Sequence, residues 1–177
     1  MFDNISIMGR AAYGFYALEQ YIKEIGVYTE DWDILFEKLW SFPQFDYVDE
    51  YTYMITECLP DCIMECEGFS ENGDWEYITK DEFMSFRSLY ESCAELKNIS
   101  AILNAVQEML SNHLYQENCP PAQASLEIMN DRLYPLLKKL LKQIPPIEPF
   151  QIYSVQDERS WGIFHSKGNL LKEINYY

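Results

Sequence analysis

Apolar residues recur at steps of three and four along most of this chain, and that rhythm leaves helices as its main element. Met8, Ala11, Ala12, Phe15, Leu18, Ile22 and Ile25 keep the rhythm over one long helix. Gly26 follows the last of them, where a C-terminal cap favours glycine. Thr29 is the expected N-cap of the next helix. Glu30, Asp31 and Asp33 then fall in its first turn, where the helix dipole favours carboxylates. That helix runs through Leu35, Phe36 and Leu39 to Trp40, and Pro43 ends it.

Helical spacing resumes from Asp46 to Cys66, with Pro60 as a kink or a fresh start. Residues 68–74 read as a loop. Thr79 with Glu82 three residues later, ahead of Phe83 and Phe86, is a capping box. Leu96, Ile99, Leu103, Val106 and Leu110 form a heptad-like stripe that His113 and Leu114 extend. Cys119-Pro120-Pro121 closes it. Leu126, Met129, Leu133, Leu136, Leu140 and Ile144 form a second stripe, so the two predict an antiparallel hairpin. Pro135 should kink or split its second arm. Residues 150–155 alternate apolar and polar, which predicts a short extended segment. Residues 156–177 read as an irregular tail, docked through Trp161, Phe164, Tyr176 and Tyr177.

The expected fold is mainly α: one bundle of about six or seven helices with a short extended segment near the C-terminus. Residues 1–146 form the helical body and 147–177 the docked tail. With 177 residues, 48% of them apolar, the chain can bury a core without disulfides or structural metals. Met1-Phe2-Asp3-Asn4 lacks the basic and apolar regions of a signal peptide, and no apolar run is long enough to span a membrane. Five cysteines, an odd number, fit reduced thiols in a cytoplasm. There the glycosylation pattern at Asn4-Ile5-Ser6 and Asn98-Ile99-Ser100 has no use.

Charge is more informative about function. Asp and Glu number 29 against 13 Lys and Arg, a formal net charge of −16. Residues 1–95 carry all of that excess, with 21 acids against 5 bases, while residues 96–177 are balanced at 8 of each. Glu30 to Glu82 holds 16 acids against Lys38 and Lys80. Such a surface repels nucleic-acid phosphates and anionic membranes. It speeds encounter with basic proteins. Charge serving only solubility has no need to segregate, and crowding carboxylates costs folding energy through self-repulsion.

No catalytic signature accompanies this charge. Phosphate-binding glycine loops, H-E-x-x-H and G-x-S-x-G are absent. Cys58, Cys62 and Cys66 are spaced by four, but structural zinc wants four ligands and no histidine is near, so they read as small buried apolar groups. His113 and His165 have no partners at a motif spacing. Asn72-Gly73-Asp74 lacks the ligand spacing of a calcium loop. The chain reads as non-catalytic, with no cofactor and no bound metal.

The strongest candidate surface lies between residues 45 and 77. Phe45, Tyr47, Tyr51, Tyr53, Trp75 and Tyr77 interleave there with carboxylates. Aromatics anchor interfaces, and carboxylates meet Arg and Lys at their rims. The predicted partner contacts are Asp46, Tyr47, Asp49, Glu50, Tyr51, Asp61, Glu65, Asp74, Trp75 and Glu76.

The opening Gly9-Arg10-Ala11-Ala12-Tyr13-Gly14-Phe15-Tyr16-Ala17-Leu18-Glu19, followed by Trp32 and Leu39-Trp40-Ser41, resembles the acidic helical immunity proteins of bacterial polymorphic toxin systems. The resemblance runs through Asp49-Glu50 and Leu59-Pro60; the stretch after Pro146 lies outside it. It implies binding to a cognate toxin and occlusion of its active site or substrate surface. Many such toxins are nucleases with basic faces, which an acidic partner fits. It carries no set of functional residues. Two other functions remain open on the sequence: a helical scaffold taking an amphipathic helix along residues 96–144, and an enzyme using carboxylates and a divalent metal.

Overall fold

The computed structural model describes residues 1–42, 47–70, 75–112 and 122–174. Helix α1 (Ile7–Glu24) starts where the Ser6 hydroxyl accepts the Gly9 amide at 3.2 Å. It ends at Gly26, whose φ of +75° suits glycine. There the Gly26 amide donates to the Lys23 carbonyl and the Val27 amide to the Ile22 carbonyl, the paired bonds of a Schellman cap. The apolar stripe understates how deeply α1 sits. Ile7, Ala17, Tyr21 and even Arg10 are buried on its other faces, so α1 is the central strut of the bundle.

Helix α2 (Asp31–Leu39) begins one turn position later than a Thr29 cap implies. The Thr29 carbonyl, not its hydroxyl, serves the start by accepting the Trp32 amide at 3.1 Å, and the N-cap falls on Glu30 without a side-chain bond. Helix α3 (Val48–Glu57) is followed by α4 (Pro60–Glu65), in which Pro60 occupies the first turn, where its missing N–H costs nothing. Helix α5 (Lys80–Ser92) carries the expected capping box: the Glu82 carboxylate accepts the Thr79 amide at 2.7 Å, and the Thr79 hydroxyl accepts the Glu82 amide at 3.3 Å.

Helix α6 (Leu96–Ser111) buries Ile99, Leu103, Val106 and Leu110 as its stripe predicts. Its most extensive contact is with α1. The approach is close, because a Cβ on Gly14 would run into the Val106 Cγ2 methyl. We expect Gly14→Ala to destabilise the fold by about 1–3 kcal/mol through overpacking, exceeding the gain of about 1 kcal/mol in helix propensity. Urea unfolding measures this, and an unchanged midpoint would show that the crossing has slack.

The second stripe is one helical rod over 123–140 in three parts: α7 (Gln123–Ile128), a π-helical turn (Met129–Leu133) and α8 (Tyr134–Leu140). Pro135 is the physical reason. It has no N–H to donate and crowds the preceding turn, and the wider π turn absorbs both. The wider turn also shifts the buried register. Met129, Leu133, Leu137 and Leu141 face inward at steps of four, whereas the heptad reading expected Leu136 and Leu140. The rod packs back against α6. Counting it once, the described residues hold eight helices.

The extended segment near the C-terminus does not form. Residues 148–152 are a 3₁₀ helix (Glu148–Ile152), and among the described residues only an isolated antiparallel bridge pairs Ile5 with Ser154. Phe150 and Tyr153, three residues apart, both lie fully buried, which a three-residue turn permits and strand alternation forbids. Tyr13 packs edge-to-face on Phe2 and Phe150, each at 5.0 Å between ring centres, and its hydroxyl donates to the Pro145 carbonyl at 3.0 Å. The described part of the tail is docked but less irregular than expected, since it includes α9 (Lys167–Ile174) with Leu170 buried, and Tyr176 and Tyr177 lie outside the described residues. His113, Leu114 and Cys119 lie outside the described residues.

Candidate functional site

Helix α3 buries Tyr51, Thr52, Met54 and Ile55. Helical geometry therefore puts Asp49, Glu50, Tyr53 and Glu57 on the opposite face. Asp49 and Glu50 fall in the first turn, where the helix dipole favours them. Tyr47, just before the helix, is 66% exposed and Tyr53 is 51% exposed.

Glu57 then brings a distant segment to this face. Its carboxylate accepts the amides of Glu76, Tyr77 and Ile78 at 2.8, 2.9 and 3.0 Å. Lys38 of α2 holds the same segment from the other side, donating to the Tyr77 carbonyl at 2.8 Å and pairing with Glu82 at 3.0 Å. Lys38 is thus committed to the scaffold, through the Tyr77 carbonyl and Glu82. Partial burial and the charges of Glu76, Glu50, Glu57 and Asp49 push the Tyr77 phenol above its ordinary value. A phenol surrounded by carboxylates stays protonated and keeps its O–H as a donor.

The structure gathers Tyr47, Asp49, Glu50 and Glu76 of the predicted set, and adds Tyr53, Glu57 and Tyr77. It corrects Tyr51, which is fully buried with its hydroxyl donating to the Leu39 carbonyl and so offers nothing to a partner. Tyr51 lies inside α3 on its buried face, whereas Tyr47 precedes the helix and stays exposed. Asp61 and Glu65 belong to α4 instead. Asp61 is occupied there by α6, accepting from Ser100 Oγ at 3.0 Å and Asn104 Nδ2 at 2.8 Å. Trp75 is half-buried on Phe83, 4.9 Å between ring centres, and supports the segment from beneath. Asp46 and Asp74, with Phe45, lie outside the described residues.

The capping box also makes the neighbouring scaffold acid-sensitive. Partial burial opposes ionisation of Glu82, but the Thr79 amide and hydroxyl and the Lys38 ammonium outweigh it and hold the carboxyl below its ordinary value. A depressed carboxyl contributes stability above its unfolded pKa, about 4.3 for glutamate. That contribution is lost as pH falls through the folded value. We expect the urea midpoint to drop on acidification below about pH 4.5, and Glu82→Gln to remove part of the drop. An identical pH dependence in the variant would assign the acid sensitivity elsewhere.

Among the described residues no group of three or more His, Cys, Asp or Glu side chains could hold a metal ion. Cys58 is buried and its thiol is pushed up by that burial, while Cys62 and Cys66 are half-buried. The α6 stripe is buried against α1, α3, α4 and the 123–140 rod. No described helix is long and apolar enough to cross a membrane. Comparison with protein-family models, with curated proteins and with solved structures finds no match to this chain.

Proposed function

We propose that this chain is a non-catalytic binding protein of the immunity type, which neutralises a basic bacterial toxin by covering its cationic surface. The single observation that carries the reading is the acidic-aromatic face of α3 and residues 75–78. Asp49, Glu50 and Glu76 surround exposed aromatic rings there, and the adjacent Lys38 is tied into the scaffold. Such a face attracts a basic protein at long range and holds it through aromatic contacts at short range. A nuclease-type toxin, whose own surface is built to attract phosphates, fits that charge. The odd number of cysteines and the charge of −16 support a site of action in a bacterial cytoplasm and a protein partner rather than a nucleic acid.

Affinity capture from lysate of the source cell, eluted with a salt gradient, tests the proposal. The expected result is one basic protein that is released by salt and whose toxicity or nuclease activity the pure chain suppresses. A captured basic protein whose activity is untouched by saturating amounts of this chain would overturn it.

A further inference from the structure

We draw no further inference here: the strongest candidate, the polar cavity of about 280 Å³ between the start of α2 and α5 lined by Thr29, Asp31, Ser85, Ser88 and Cys93, rests on a helix N-terminus, a row of small residues and a single cysteine, and nothing else among the described residues points to a ligand there.

Discussion

Replacing Asp49, Glu50 and Glu76 with lysine should slow association with the basic partner at least about tenfold at low ionic strength. The argument is one of range. These carboxylates act on an approaching cationic surface before contact, so their removal appears in the association rate rather than in dissociation. The deficit should shrink with added salt, because the Debye length falls from about 10 Å at 0.1 M to about 3 Å at 1 M. The fold should survive. None of the three has an ion pair among the described residues, and reversing the two in the first turn of α3 costs about 0.3–1 kcal/mol each through the helix dipole. Tyr47→Ala and Tyr53→Ala should act oppositely, speeding dissociation with little salt dependence, because exposed rings contribute after contact. Stopped-flow association at two ionic strengths separates these outcomes. A triple variant that associates at the wild-type rate in low salt would assign recognition to another face.

Glu57→Ala should destabilise the protein by about 2–4 kcal/mol. One carboxylate satisfies three consecutive amides, and Ile78 beside them is buried, so its amide is poorly placed to find water once the acceptor is gone. The Glu76 and Tyr77 amides are more open and recover part of their loss from solvent, which keeps the total below three full penalties. The same change removes the tie that places Glu76 and Tyr77 beside α3, so partner affinity should fall along with stability. Glu57→Gln keeps one acceptor oxygen and should fall between. Urea unfolding of the three proteins provides the check; a loss under about 1 kcal/mol for Glu57→Ala would show that Lys38 alone holds the segment.

The Glu57 clamp also explains which parts of the site were legible in the chain. Asp49 and Glu50 follow from local pattern, since they precede an apolar face in the first turn of a helix. Tyr51 fails for a reason of phase. The interleaving of aromatics and acids does not say where the helix starts, and with its first residue at Val48 the inward positions fall on Tyr51 and Ile55 while Tyr53 turns out. Asp61 looks like one more surface acid until Ser100 and Asn104, about forty positions downstream, are folded against it. No periodicity encodes that meeting.

Helix identity was written locally, in apolar spacing and in the short side-chain bonds of caps. The helical stretches through α6, the capping box at Thr79 and Glu82, and the Gly26 stop all follow from neighbours within one or two turns, while Pro60 left open whether 46–66 is one helix or two. The acidic character of the first half is likewise a property of the chain alone. The decisions left to tertiary structure were those that depend on which groups far apart in sequence share a dry interior. The buried Arg10, its guanidinium drawn down to about 10 by desolvation, takes the Phe2 and Ala122 carbonyls as partners. Residues 148–152 turn instead of extending, with Phe150 packed on Tyr13 and the Tyr153 side chain against Gly9. Lys167 found Glu19 across 148 positions of sequence. A cap closes over a few residues and its cost in chain entropy is small, so sequence neighbours decide it. A buried ion pair or an aromatic seat closes a long loop, and packing of the whole bundle must supply the return.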